Sequence, residues 1–209
     1  MTKLNIMASR HSAFYSPMIC TIAGGFLEKE GLSGEYHVVA AGGASGMEVA
    51  EGRMDVAQAA VSASWGPLDN RSKAPFPHFA QINRYDGFFI AGREADSDFS
   101  WKKLLNGKFL HVHGGQPEAI LRYGAHKQGI DLANVDDIDS PGGDEMMAQW
   151  RNGEGDYFHE QGSFPQQLEH DGQGHIVASV GEAVGPVAFS SLVGRWDWLE
   201  TDDAKRFAA

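Results

Sequence analysis

The chain repeats one pattern of structural punctuation at an offset of about one hundred residues, and this limits it to folds built from two similar halves. In the first half, Ser16-Pro17 opens an apolar stretch that closes at Gly31-Leu32. An apolar run at 36–41, a Gly42-Gly43 turn and Met47 follow, and Gly52-Arg53-Met54-Asp55 then precedes Val56-Ala57. In the second half, Gln116-Pro117 opens an apolar stretch that closes at Gly129-Ile130. Gly142-Gly143 and Met147 come next, and Gly153-Glu154-Gly155-Asp156 precedes Tyr157-Phe158. Identities by themselves carry little weight, because unrelated segments agree at roughly one position in fifteen. The weight rests on matched residues that keep both order and role: a helix-opening Pro, a helix-ending Gly, a Gly-Gly turn, and Gly-x-x-Asp ahead of a strand. Two α/β units in tandem predict two lobes, and ligand sites favour the interface between lobes.

The local pattern fills in the units. Residues 4–8 read as a short strand leading through a polar loop into a helix. Ser16 suits the N-cap, and Pro17 suits the first helical position, where its missing N–H costs nothing. Met18, Ile19, Ile22, Phe26 and Leu27 recur at helical spacing, which predicts one helix as far as Gly31. A β-branched strand at 36–41, a short helix at 47–53 and a small-residue strand at 55–60 complete a βαβαβ order. That order predicts a parallel sheet with right-handed crossovers. Residues 79–94 read as a single strand that leaves the first lobe, and 100–107 as a short capped helix. The second unit is expected to run through a strand at 108–113, a helix at 117–128, a strand at 135–139, a helix at 144–151 and a strand at 156–159. A short helix at 164–168 and strands at 175–180 and 187–192 follow, the last returning to the first lobe. The expected division is residues 1–86 with 188–209 as lobe one, and 87–187 as lobe two. Thr201-Asp202-Asp203 caps a helix that stops at Ala209, so the C-terminal part of the fold is expected to be missing.

Charge and composition exclude some functions. With 17 Lys and Arg against 28 Asp and Glu, the net charge is −11, and no basic cluster exists to meet a phosphate backbone. A nucleic-acid partner is therefore not expected. Cys20 is the sole cysteine, which rules out an intramolecular disulfide. No apolar run approaches the length of a transmembrane span. No charged segment followed by an apolar one marks a secretory leader. The expected compartment is the periplasm or cell surface if a leader was removed, and the cytoplasm if Met1 is native.

In parallel α/β sheets, ligands sit beyond the carboxyl ends of the strands, at helix N-termini. That rule selects Ser9, Arg10, His11 and Tyr15 after strand one, Gly42, Gly43, Ala44 and Ser45 after strand two, and Ser62 after strand three. In the second lobe it selects His113, Gly114 and Glu118, then His159 and Glu160. Glycines there allow backbone N–H groups to approach a ligand, and opposed helix N-termini favour a carboxylate, sulfonate or phosphate. Each position also has a plain structural use. Arg10 and His11 suit a solvated loop, Gly42-Gly43 a simple turn, Ser62 a helix cap, and His113, His159 and Glu160 a strand end. Asp55 and Asp156 suit loop capping better than ligand contact. His111-x-His113 sets two imidazoles on one strand face, but no third ligand stands at a zinc-like spacing, so neither a metal nor a cofactor is expected. No nucleophile elbow, phosphate-binding loop or dinucleotide fingerprint is present.

Several of these segments together resemble the substrate-binding proteins of nitrate/taurine-type ABC importers, a group that also holds the thiamine-pyrimidine precursor proteins. The resemblance is carried by Gly25-Phe26-Leu27-Glu28-Lys29-Glu30-Gly31-Leu32, Gly42-Gly43-Ala44-Ser45-Gly46-Met47 and Glu51-Gly52-Arg53-Met54-Asp55-Val56-Ala57. Trp101 to Leu105, Gly107-Lys108, Pro117-Glu118 and Gly129-Ile130-Asp131 extend it over most of residues 4–160. It implies a type II periplasmic-binding-protein fold, with two βαβαβ lobes, a two-stranded hinge and a small solute held in the cleft. It also implies an ABC permease as partner. Against that family, a leader and the C-terminal helices that return to lobe one are expected to be missing here. The alternative is a cytoplasmic enzyme on the same fold, since the resemblance extends to a desulfinase and a pyrimidine synthase. Cys20 would be its nucleophile and His11 its base, although Cys20 falls within the apolar helix pattern.

Overall fold

The computed structural model describes residues 1–40 and 43–209. Along the chain, β1 (Thr2–Ala8) leads into α1 (Ser16–Ala23), α2 (Phe26–Lys29), β2 (Leu32–Val38), α3 (Ser45–Ala50) and β3 (Val56–Ala60). Next come α4 (Trp65–Asp69), β4 (His78–Gln81), β5 (Phe88–Gly92) and β6 (Lys108–His111). They are followed by α5 (Gly115–Lys127), β7 (Asp136–Asp139), α6 (Gly143–Arg151) and β8 (Tyr157–Gln161). The chain ends through α7 (Phe164–His170), β9 (His175–Ser179), α8 (Val180–Val184), β10 (Ser190–Gly194) and α9 (Asp202–Phe207). No helix among the described residues is long and apolar enough to cross a membrane. The residues separate into two compact units, Met1–Arg84 with Ala188–Ala209, and Tyr85–Val187.

The first unit is built on a sheet of order β2-β1-β3-β10-β4. β1 lies parallel to β2 and β3, while β10 runs antiparallel to both β3 and β4. Alternation along the strands sends side chains to two cores. Leu4, Ile6 and Ala8 of β1, Val56 of β3 and Leu192 of β10 join Met18, Leu27, Trp198 and Ala204 on one face. Met7, Ala57, Ala59 and Val193 join Val49 and Phe76 on the other. A sheet covered on both faces explains why β3 and β10 read as nearly unbroken small or apolar runs.

The second unit repeats this plan with order β7-β6-β8-β5-β9. β6 lies parallel to β7 and β8, and β5 is antiparallel to β8 and β9. Leu110, Phe158 and Ala91 pack on one face against Met146, Met147 and Trp150 of α6 and Leu168 of α7. Trp150 is fully buried, and its Nε1 donates to the Gln173 carbonyl at 2.7 Å. Its truncation to Ala would cost about 3–5 kcal/mol.

The repeated Gly-x-x-Asp does the same work in both units. Gly52 (φ +76°) and Gly153 (φ +88°) end α3 and α6 in the left-handed region that favours glycine. Three residues on, the Asp55 carboxylate accepts from the Asn5 N–H at 2.8 Å, and the Asp55 N–H donates to the Asn5 carbonyl at 2.9 Å. Asp156 makes both bonds to Lys108, each at 2.8 Å. The motif thus ties β3 to β1 in the first unit and β8 to β6 in the second, strands that hold equivalent places in the two sheets.

Local readings need correction in four places. The apolar stretch after Ser16 is two helices, because Gly25 takes φ +71° between them. The second strand begins at Leu32 rather than 36. Residues 79–94 form two strands, β4 and β5, each antiparallel to its neighbours, so neither sheet is purely parallel. The expected strand at 187–192 is shifted to Ser190–Gly194, where it pairs with β3 in the first unit. Near the two passages between units, the Ile82 N–H donates to the Ser190 carbonyl at 3.0 Å and the Phe189 N–H to the Asn83 carbonyl at 3.3 Å.

Candidate functional site

At the carboxyl end of β1 the first unit gathers a small polar cluster. Ser9 and His11 are exposed, Arg10 is half-buried and Tyr15 is buried. Burial pushes the Tyr15 phenol up, opposed by a hydrogen bond with Ser9 and by the Arg10 charge. Ser9 Oγ lies 3.2 Å from Ser45 Oγ at the start of α3, and Ser45 in turn donates to the Gln58 carbonyl at 3.3 Å. His11 Nδ1 is 3.3 Å from the Tyr36 hydroxyl, and the two rings meet edge to face. Burial also raises the Tyr36 phenol, with the neighbouring Tyr15 adding to it. Ser9, Arg10, His11, Tyr15, Ser45 and Tyr36 therefore form one connected rim.

The remaining first-unit candidates sit nearby in sequence. Gly42 lies outside the described residues. Gly43 is exposed, and its N–H donates to the Ala40 carbonyl at 2.9 Å. Ala44 is the extended N-cap residue of α3. Ser62 falls in a single 3₁₀ turn, Val61–Ser64, directly after β3. Deeper in this unit, His78 bridges Ser64 (2.8 Å) and Ser191 (2.5 Å), and Gln58 Nε2 donates to Ser190 Oγ at 3.1 Å.

The second unit uses its helix N-termini differently from the sequence expectation. Glu118 curls back so that its Oε2 accepts from the Gly114 N–H at 2.5 Å, while Oε1 accepts from Arg122 Nε at 2.8 Å. The Gly114 N–H first, and Arg122 second, hold this carboxyl below its usual range. Glu160 Oε2 accepts from the Gly143 N–H at the start of α6 at 2.6 Å, and its Oε1 accepts from the Gln161 N–H at 2.6 Å. A Cβ on Gly142 would meet Glu160 Oε2 at 2.9 Å, so glycine is what admits the carboxylate. Both helix starts thus hold the protein's own carboxylates, where an external anion had been expected.

His159 and Glu160 also need correction as rim residues. β8 extends to Gln161, so both lie within the strand and both are 0% exposed. His159 stacks on Phe88 with ring centroids 4.7 Å apart, and neither of its ring nitrogens has a hydrogen-bond partner among the described residues. Burial, with His111 nearby, pushes it down to about 3. His113, in contrast, is exposed at the end of β6. Its Nε2 lies 2.6 Å from Asp137 Oδ2, and its Nδ1 lies 3.6 Å from Asp139 Oδ1. His111 is buried beside it, with ring centroids 4.4 Å apart, and burial lowers its affinity for a proton.

The sequence reading did not single out Tyr36 or Asp137. Both belong to the strand beside the one that carries the candidate histidine, so only strand pairing brings them in. Cys20, expected on the apolar face of its helix, is exposed. An open groove of about 580 Å³ in the second unit, lined by Phe99, Trp101, Gln128, Val177 and Glu182 among others, contains none of the candidate residues.

No family model matches the chain. It is 28% identical over 208 residues to YtlA of Bacillus subtilis (strain 168), described as a candidate binding protein. The match takes in 97% of this chain and 61% of YtlA, so the chain spans about three fifths of that relative's length. Among solved structures, the periplasmic aliphatic sulphonate binding protein SsuA from Escherichia coli superposes with a TM-score of 0.76 at 12% identity, covering 100% of this chain and 70% of SsuA. The periplasmic nitrate-binding protein NrtA from Synechocystis PCC 6803 gives 0.65 at 17% identity, covering 99% of this chain and 59% of NrtA. At such identities the likeness is one of architecture. Two α/β units with matching strand orders, carried through the whole chain by these superpositions, give the protein the type II periplasmic-binding-protein fold.

Proposed function

We propose that the chain captures a small solute, an organic anion or a heterocycle, as the solute-binding component of an ABC importer. The carrying observation is the matched pair of carboxyl edges. Each unit places polar side chains just beyond β1 or β6, the strands that hold the same place in two sheets of equivalent order. The sulphonate- and nitrate-binding proteins that share the fold support a small oxyanion, free or carried on a short organic group, as the class to test first. Glu118 and Glu160 occupy the helix starts of the second unit, so an anionic end belongs on the side of Arg10, His11 and the Tyr15–Tyr36 pair. Backbone passages at residues 84–85 and 187–188 would serve as the hinge. The role is capture and release, with no chemistry on the solute, and the compartment it suits is the periplasm or the cell surface.

Titration calorimetry of the full chain against short alkanesulfonates, nitrate, short carboxylates and pyrimidines tests this. One class should saturate at one site, and Ser9→Ala or His11→Ala should weaken it by roughly tenfold, the worth of one polar contact. A folded sample that gives no saturable heat with any class overturns the reading.

A further inference from the structure

β6 and β7 pair in register, with Phe109 opposite Asp137 and His111 opposite Asp139. Leu110 belongs to the α6-facing core, and Ile138 packs against it. Alternation therefore sends His111, His113, Asp137 and Asp139 together to the opposite face, at the carboxyl edge of the sheet. His111 is 2% exposed, and its Nδ1 lies 3.1 Å from the Val112 carbonyl. A carbonyl only accepts, so the proton sits on Nδ1 and the lone pair on Nε2. That Nε2 is 3.9 Å from Asp137 Oδ2, which is itself 2.6 Å from His113 Nε2.

We propose that His111, His113 and Asp137 form a site for one divalent ion of the zinc class, which the solute-binding role neither requires nor assigns. The three donor atoms already lie within 4.8 Å of one another. Tetrahedral ligands at zinc distances stand about 3.3 Å apart, so the His113–Asp137 pair at 2.6 Å has to open by roughly half an ångström or more while both draw closer to His111. The buried His111 is the fixed point, while the side chains of His113 and Asp137, 39% and 41% exposed, are free to close on it. Two imidazoles and one carboxylate suit zinc better than calcium or magnesium, which prefer all-oxygen shells. The second shell is also in place. The Val112 carbonyl fixes the His111 tautomer, and Asp139, 3.6 Å from His113 Nδ1, is placed to close in and accept a hydrogen bond from Nδ1–H once the ring proton shifts there and frees Nε2 for the metal. A fourth position remains for water.

The test is titration of the metal-stripped full chain, without a polyhistidine tag, with zinc chloride by calorimetry, and with cobalt(II) by visible absorption. One ion per chain should bind, and cobalt should show the intense d–d bands of a four-coordinate site. His113→Ala and Asp137→Asn change only exposed side chains, and each should weaken zinc by at least about tenfold, since even second-shell losses cost 10–100-fold. His126→Gln, an exposed histidine on α5, should leave binding unchanged. Absence of saturable zinc binding, or binding that survives in the His113→Ala/Asp137→Asn double variant, overturns the proposal. Because the probe is the metal alone, either result is independent of whether an organic solute binds.

Discussion

The two units share a strand order but place their polar groups differently. In the first, Ser9, Arg10 and His11 stand at the rim, and hydroxyls do most of the bonding: Ser9 with Ser45, and Tyr36 with His11. In the second, Glu160 and His159 are wholly buried within their strand, Asp86 is nearly as buried, and His113 stands exposed at the edge beside Asp137 and Asp139. The repeated methionines diverge in the same way: Met47 is 43% exposed and Met147 only 3%. A common scaffold thus fixes backbone pairing while leaving burial at equivalent positions free to vary. The first unit is built to meet solvent-borne groups, and the second carries titratable groups whose cost is borne by the fold.

The largest expected effect tests that cost. Asp86 accepts from the Phe88 N–H through Oδ1, while its Oδ2 has no partner among the described residues, and burial pushes it up to about 7. Its folded value exceeds the unfolded one, so the protonated form is favoured by folding. Stability is then lost as pH rises from about 4 to about 7, by up to about 4 kcal/mol from this group. Urea unfolding across that range should show the fall, and Asp86→Asn should remove it. An unchanged pH slope in the variant would mean that the second unit carries no such burden.

Next comes Glu160→Ala, which strands the Gly143 and Gln161 N–H groups inside the fold and should cost about 3 kcal/mol. The first-unit counterpart, Ser45→Ala, removes a weaker hydroxyl contact and should cost about 1 kcal/mol. Equal losses would break the contrast between the units. His159→Leu should have a smaller effect and the opposite sign. Replacing two unpartnered ring nitrogens should gain about 1 kcal/mol at pH 7. Because the folded value of His159 is depressed to about 3, the wild type also loses stability as pH falls from 6.5 toward 3, and the variant should not lose that share. Both slopes meet between pH 4 and 6.5, so each is read from its own single variant.

A last effect, of similar size, sharpens the likeness instead. Asp55→Asn and Asp156→Asn each weaken one charge-assisted bond to the first strand, and each should cost about 1 kcal/mol by thermal unfolding. Matching losses would mark the two motifs as energetic equivalents, and a large inequality would separate them.

These contrasts also show what the amino-acid order discloses. Gly-x-x-Asp was legible because it is local: a helix end, a left-handed glycine and a capping carboxylate fall within a few residues. β1 to β3, and their equivalents β6 to β8, were legible for the same reason. The break between β4 and β5 was not, because the apolar residues on both sides of Asn83–Gly87 read as one run. The Gly25 break in the first helix was hidden because Phe26 and Leu27 keep the helical spacing. Among site residues, Ser9 to Tyr15 follow their strand as a loop should. Burial of His159 and Glu160 depends on β5 and α6 closing over β8, and the meeting of His113 with Asp137 depends on strand register. Neither is encoded near the residues concerned.

The return of β10 to the middle of the first sheet has a consequence for synthesis. Residues 85–187 leave the ribosome as an unbroken stretch and can close their own sheet at once. The N-terminal half, begun earlier, must wait with β3 open along one side until Ser190–Gly194 emerge to cover it. The part made first is thus finished last, and its bare strand edge is where a nascent chain is most exposed to mispairing with another.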